Sequence, residues 1–339
     1  MPEPIHLAAN NADLGGGEQV LVRCAAALVA LGRRVVVVAP DRPTDVLDAA
    51  AAVGAEVVAL RADGRRDHLH RLRAWDRGRT GLLWCHGLVP SLATAGHRRR
   101  VVHLHQLPRS RAQRLALAVA RVGAERFLVP SHFLASQVAG AEVFANWTDA
   151  VEPAARAGAQ RRVGFMGRLS TDKGADLVAR ALAATELAGT TLVVAGDDRW
   201  VPADQQAPVA EALAGLGDRV RRLGRVTPAA FFADVDLAVF PSRVAESFGL
   251  VAAEAMAAGV PYVVSDAGAL PEVAGPEHPW VARAGDADDL AAVVARALAA
   301  TPEEVRLVTD RARERWEDEY SPQAGRSRVE RLLTDLGVS

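Results

Sequence analysis

Two series of short, mostly apolar runs, separated by helical patterns, govern what this chain of 339 residues can fold into. In the first series, IHLAAN, RVVVVAP, AEVVAL, GLLWCH, RVVHLHQ, ERFLVPS and AEVFANW read as strands. LGGGEQVLVRCAAALVALG and PTDVLDAAAAVG read as helices among them. The pattern then restarts with RRVGFMG, TTLVVAG, RVRRLG, DLAVFPS, PYVVS and WVARA. Strands that are apolar throughout, alternating with helices, belong to parallel sheets covered on both faces. No fixed period links the two series, so this is not a sequence repeat. The expectation is an α/β protein of two doubly wound, Rossmann-like domains in series, which the length also favours. Residues 1–148 would form the first, 149–319 the second, and 320–339 a separate helix set off by Pro322, with Ser321 as its N-cap. The linker is expected in NWTDAVEPAARAGAQ, residues 146–160.

Composition narrows the setting. Half the residues are hydrophobic, and 40 basic against 41 acidic side chains leave a formal charge of −1. That argues against disorder and against nucleic acid as a partner. Cys24 and Cys85 are too few for a disulfide framework and predict a reduced, cytoplasmic protein. The amino terminus lacks the basic and apolar regions of a signal peptide, and no uncharged run approaches the ~20 residues that span a bilayer.

In open parallel sheets, ligands bind beyond the carboxyl ends of the strands. The chemistry-bearing residues concentrate in loops at those ends, as a cleft between two such domains requires. The richest stretch is PSRVAESFGLVAAEAMAAGVPYVVSDAG. Glu246 and Glu254 are separated by seven residues, one in a loop and one in the helix that Gly249 opens and Gly259 and Pro261 close. The first amides of that helix, at Gly249, Leu250 and Val251, lack intrahelical partners and, with the helix dipole, make an anion site. Amides for an anion and carboxylates for hydroxyls together suit a nucleotide sugar.

A second loop, Gly167-Arg168-Leu-Ser-Thr-Asp-Lys173-Gly174, follows the strand RRVGFMG. Arg168 and Lys173 can clamp a diphosphate, Arg as a fork and Lys as a point charge. The loop lacks the second glycine and the Lys-Ser/Thr pair of a Walker A sequence. Lys173 is the single lysine among the 40 basic residues, which marks it as a site candidate in an arginine-biased chain. An ordinary solvated basic loop is the alternative. Gly15-Gly16-Gly17-Glu18 allows close backbone approach to a phosphate or sugar, or is simply a capped helix start. It is not the dinucleotide fingerprint, because G-x-G-x-x-G is absent.

His86 ends one strand, and His103 and His105 share a face of the next. His105 is nearer the carboxyl end and is the histidine expected at a ligand; a structural histidine bonded to backbone is the alternative. No zinc site is expected, since no cysteine pair has ligand spacing and the histidines are not helix-paired. Asp234-Val-Asp236 resembles a metal pattern but sits at the wrong end of a strand, and Asn146-Trp-Thr148 is a glycosylation acceptor only in a secreted protein. Between Arg61 and Arg114 there are 13 Arg against 3 Asp. Solvated loops explain that, and so does contact with an anionic acceptor or the inner face of an anionic membrane.

FMGRLSTDKGADLVARAL, PSRVAESFGLVAAEAMAAGVPYVVSDAGALPEVAG, LGGGEQVLVRCAAALVALGRRVVVVAP and LVPSHFLASQVAGAEVFANWTD, in their order along the chain, resemble the retaining GT-B glycosyltransferases of family 4, also called glycosyl transferases group 1. The resemblance spans nearly the whole chain and is strongest from Val163 to Glu272. It implies that two Rossmann-like domains face across a cleft and that the last helix crosses back onto the first. It implies transfer of a sugar from a UDP- or GDP-linked donor to a small-molecule, glycan or lipid-linked acceptor, with retention, without a metal ion or other cofactor. Arg168 and Lys173 would bind the donor diphosphate and stabilise the leaving group. Glu246 would hold sugar hydroxyls and Glu254 the ribose. Backbone at Phe248, Gly249 and Leu250 would meet sugar or phosphate. Gly16 and Gly17 would approach the diphosphate, and His105 would lie beside the sugar. The chain departs from the family at Gly32-Arg33, where Gly-His is usual, and at Gly268-Ala269, where a glycine pair is usual. A GT-B-fold nucleotide-sugar epimerase and a non-catalytic nucleotide-sugar-binding subunit remain as alternatives.

Overall fold

The structure is a computed structural model and describes residues 3–108, 110–152, 161–184 and 187–338. Residues 153–160 of the expected linker and Arg109 of the arginine-rich stretch lie outside the described residues. The chain forms two compact units, one of residues 1–147 with 322–339 and one of residues 148–321.

In the first unit the order is β1 (Ile5–Ala8), α1 (Gly16–Ala30), β2 (Val35–Pro40), α2 (Asp45–Ala52), β3 (Glu56–Leu60), α3 (Arg65–Asp76), β4 (Leu82–His86), α4 (Leu88–Ala93), β5 (Arg100–His103), α5 (Arg111–Ala120), β6 (Ala124–Val129), α6 (His132–Gln137) and β7 (Glu142–Val143). The strands make one parallel sheet in the order β3-β2-β1-β4-β5-β6-β7. The central strands β1, β4 and β5 are buried along their whole length, whereas the edge strand β3 is mostly exposed. That contrast is why the central strands read as continuous apolar runs.

The second unit contains β8 (Arg162–Met166), α7 (Ala175–Leu182), β9 (Thr191–Ala195), α8 (Ala203–Gly215), β10 (Val220–Gly224), α9 (Pro228–Phe232), β11 (Leu237–Phe240), α10 (Leu250–Ala258), β12 (Tyr262–Ser265), α11 (Leu270–Ala274), β13 (Val281–Ala282), α12 (Ala287–Ala299) and α13 (Pro302–Arg315). Its parallel sheet runs β10-β9-β8-β11-β12-β13. Val163, Val194, Val239 and Val263 from the sheet pack with Leu177, Val178, Leu290 and Val294 from α7 and α12 in one core.

Strand order in each sheet reverses once, between β1 and β4 in the first and between β8 and β11 in the second. At such a switch the two following loops diverge and leave a crevice at the carboxyl edge. In the second unit those are the loops carrying Lys173 and Glu246.

The last helix, α14 (Pro322–Asp335), begins at the proline that separates it from the second unit, and packs on α1 in the first. A glycine makes the close approach: a Cβ on Gly325 would stand 2.2 Å from the Trp147 ring. The Arg328 guanidinium lies 5.8 Å from the centre of that ring. No described helix is long and apolar enough to cross a membrane.

Candidate functional site

In the second unit, glycines set the loop paths. Gly174, with φ +76°, brings its α-carbon so close to the Pro241 carbonyl that a Cβ there would stand 2.2 Å from the oxygen. Gly249 caps α10 in a left-handed conformation, φ +101°, that other residues adopt only with strain. The loop after β8 and the loop after β11 are thereby seated against each other at the switch point.

Side chains complete the joint. The Lys173 ammonium donates to Glu246 Oε1 at 2.5 Å, and the Ser242 hydroxyl donates to the same oxygen. Arg243 grips Asp176 with both guanidinium nitrogens at 2.6 Å, donates to the Thr171 carbonyl, and through its backbone N–H to the Asp172 carbonyl. Asp176 is almost fully buried, so this forked pair locks the β8 loop and the start of α7 to the β11 loop. The backbone of Glu246 is held from a third side: it bridges Gly268 after β12, and its carbonyl accepts from the Ala269 N–H. A Cβ on Gly268 would stand 2.5 Å from Glu246 backbone atoms, so the glycine retained in Gly268-Ala269 is the one the packing needs.

Arg168 is exposed at the carboxyl edge of β8. Leu250 begins α10, and Glu254 lies one turn further on, buried. Phe248 is buried, its ring meeting Tyr320 edge-on at 5.3 Å, so only its backbone faces the loop. Arg168, Lys173, Glu246, Gly249 and Leu250 thus share the carboxyl edge of one sheet. Asp234 and Asp236 are engaged at the other edge, with Arg162 and Arg221.

In the first unit Gly16 and Gly17 form the start of α1, and Gly17 faces His105: a Cβ there would stand 3.1 Å from the imidazole. Glu18, buried in the same turn, accepts from the backbone and side chain of Asn11 at 3.1 and 3.0 Å. Burial pushes its carboxyl up, against those hydrogen bonds. Cys24 and Cys85 are buried, and burial raises both thiols, which makes them poor nucleophiles.

His86 and His103 are register partners on adjacent strands, and His105 follows His103 on the same side. The three rings therefore meet. His86 Nδ1 and His105 Nε2 are 3.0 Å apart, and the rings of His103 and His105 have centres 4.3 Å apart. Burial pushes His105 down to about 4 and His86 and His103 well below the usual imidazole value, so all three are neutral at pH 7. Donor atoms of all three lie within 4.8 Å of one another.

Sequence reasoning missed Ser242, Arg243 and Asp176. The spacing of Asp176 from Lys173 and of Arg243 from Glu246 offered a weak signal; their pairing across 67 residues offered none.

Residues 160–300 match the family model of glycosyl transferases group 1. That segment holds both loops described above. Among relatives in sequence, an MMP alpha-(1->4)-mannosyltransferase of Mycolicibacterium hassiacum is 44% identical over 98 residues, 28% of this chain. A D-inositol 3-phosphate glycosyltransferase of Mycobacterium marinum is 40% identical over 118 residues, 33% of this chain. The chain spans only 23% and 24% of the length of these two relatives. Among solved structures, a sucrose-phosphate synthase from Thermosynechococcus elongatus superposes with a TM-score of 0.84 at 20% identity, covering 99% of both chains. HepE of Anabaena, in complex with UDP-glucose, gives 0.82 at 19% identity over 98% of this chain and 100% of its own. At such identities the likeness establishes the fold, which is GT-B.

Proposed function

We propose that the chain is a nucleotide-sugar-dependent glycosyltransferase of the retaining, family 4 type. The observation that carries this reading is the joining of the Arg168/Lys173 and Glu246 loops at the switch point of the second unit, inside the segment that matches the family model. The donor is a UDP- or GDP-linked sugar; a neighbour in fold binds UDP-glucose.

In the reaction the bond from the anomeric carbon to the diphosphate oxygen breaks, and a bond to an acceptor oxygen forms on the same face. The acceptor's proton passes to the leaving phosphate. Arg168, Lys173 and the first amides of α10 meet the negative charge that grows on the diphosphate, so this role needs no metal ion. Glu246 accepts from sugar hydroxyls while its contact with Lys173 holds the ammonium in place. Glu254 takes the ribose. Backbone at Phe248, Gly249 and Leu250 lines the sugar and phosphate. From the first unit, the reading assigns Gly16 and Gly17 to the diphosphate and His105, a neutral imidazole, to the sugar.

The test is nucleoside diphosphate release from UDP, GDP and ADP sugars by the wild type and Lys173→Ala. Equal turnover by the two proteins removes the role given to Lys173. Tight binding without turnover on any acceptor pool favours the non-catalytic subunit, and release of a free epimer favours the epimerase.

The acceptor side carries a second proposal, contact with an anionic membrane at the inner face. Three of these arginines are tied into the fold: Arg100 donates to three backbone carbonyls, Arg73 to two, and Arg79 pairs with Asp76. Of those that stay exposed, Arg65, Arg66 and Arg71 lie on α3, Arg61, Arg77, Arg98 and Arg99 in the loops around it, and Arg111 and Arg114 on α5. Leu115 (70% exposed), Val119 and Val122 form an apolar stripe, flanked by exposed Arg111 and Arg114, with no acidic side chain from Arg111 to Gly123. Apolar groups beside unopposed cations suit an anionic lipid surface.

A further inference from the structure

The three histidines of the first unit have more donor capacity than the fold uses. His86 and His103 are 2% and 0% exposed. Among the described residues, His86 Nε2, both nitrogens of His103 and His105 Nδ1 are buried without a hydrogen-bond partner. Buried polar atoms are rarely left so, and an ion or water is the usual explanation. The walls around the rings are aromatic. Trp84 stacks on His103 at 6.1 Å and tilts against His86 at 5.4 Å, and Phe144 meets His103 edge-on at 5.5 Å. Among the described residues, no carboxylate joins the cluster of rings.

The parallel register is what makes the cluster. His86 and His103 are paired across β4 and β5, so their side chains leave the sheet on one face, and a residue two further on, His105, returns to that face. His105, half-buried beside Gly17, is the side from which an ion can enter.

We propose that His86, His103 and His105 bind a divalent late transition-metal ion, zinc first among them. Neutral imidazoles are the form that ligates, and an all-nitrogen set without carboxylates selects zinc, copper or nickel over magnesium, calcium or manganese. Three histidines leave the fourth tetrahedral position open to water or an anion. Tetrahedral zinc asks for nitrogens about 3.4 Å apart, from its ~2.1 Å bonds. The donor atoms lie within 4.8 Å of one another, so an ion draws the widest pair together by up to about 1.4 Å. His86 and His105 face each other through nitrogens that already share a hydrogen bond, so the ion replaces that bond and newly satisfies a nitrogen of His103. One consequence rests on the transferase reading: zinc sequesters His105 from the sugar, so the ion inhibits transfer.

The binding is tested on the protein alone, without donor or acceptor. Metal-stripped full-length chain is titrated with Zn²⁺ against a chromogenic chelator at pH 7.5, and with Co²⁺ for its visible spectrum. The expected result is one ion per chain, four-coordinate cobalt bands, and affinity reduced at least 100-fold in each of His86→Gln, His103→Phe and His105→Gln. His70→Gln, an exposed histidine outside the cluster, keeps wild-type affinity. Should the buried variants fail to fold, His105→Gln decides alone, since its ring is the half-exposed one. Absence of stoichiometric binding to the wild type, or binding unchanged in His105→Gln, overturns the site. Zinc that binds as expected while leaving transfer untouched overturns the inhibition and spares the site.

Discussion

Lys173 and Glu246 are 73 residues apart in sequence and 2.5 Å apart at their charged atoms. The pair sits where two strand-end loops diverge, and each partner restricts the other. A lysine held by a carboxylate is aimed but partly neutralised; an incoming diphosphate competes for it. Removing the ammonium removes both the aim and the charge. Lys173→Ala is expected to lower turnover roughly 10²–10³-fold, the scale of losing one preorganised charge-stabilising group. Initial rates of nucleoside diphosphate release under saturating donor check it.

Glu246→Gln separates holding from charge. The amide still bonds Ser242 but no longer offsets the lysine. Binding of the bare nucleoside diphosphate is expected to stay equal or tighten, while transfer falls about 100-fold and discrimination among donor sugars narrows, because only the hydroxyl contacts are lost. Calorimetry with UDP and GDP, set beside rates on several donors, reads both. Unchanged rate and selectivity reduce the stretch to a structural corner.

Glycine at 174 is required by packing as much as by conformation. Gly174→Ala places a Cβ against the Pro241 carbonyl in a left-handed backbone and is expected to cost at least about 2 kcal/mol. Gly189→Ala, where nothing stands within 4 Å and φ is not positive, is the control and stays near neutral. Urea denaturation of the two variants measures the difference.

Stability of the second unit should fall with acid through a half-buried imidazole. His278 stacks on Tyr262 and bonds its carbonyl, and burial pushes the ring down to about 4. Its unfolded value is higher, near 6.5, so between those values the unfolded chain binds more protons. Unfolding free energy is therefore fully present above pH 6.5 and is lost as pH drops toward 4, by up to about 3 kcal/mol for this ring. His278→Phe keeps the stacking and is expected to flatten that slope in pH-dependent denaturation.

The α5 stripe predicts salt-sensitive membrane contact. The wild type is expected to sediment with phosphatidylglycerol vesicles at low salt, less so at high salt, and not with phosphatidylcholine vesicles. Leu115→Glu with Val119→Glu should abolish sedimentation and leave nucleotide affinity unchanged. A wild type that stays in the supernatant with anionic vesicles at low salt removes the proposal.

The fold was readable because buried parallel strands must be largely apolar, and β1, β4, β8 and β11 are, apart from His6, His86 and Arg162. Gly249 and Gly259 marked the ends of α10 because only glycine adopts their backbone cheaply. What escaped reading is cross-strand and cross-loop registration. His86 and His103 each looked like a separate strand residue until the β4–β5 register placed them side by side. Arg243 looked like one more loop arginine, although its partner Asp176 is the buried end of a joint. The arginine count between residues 61 and 114 overstated the surface charge, since Arg100 carries a guanidinium into the interior to serve backbone carbonyls.

The first unit is assembled from both ends of the sequence, with Gly325 of α14 pressed on the Trp147 ring, while the second unit is one uninterrupted stretch. During synthesis the second unit has all its residues before the first does. The amino-terminal sheet therefore waits, with Trp147 and α1 uncovered, until the ribosome has passed Asp335, and loss of α14 strands the half that was translated first.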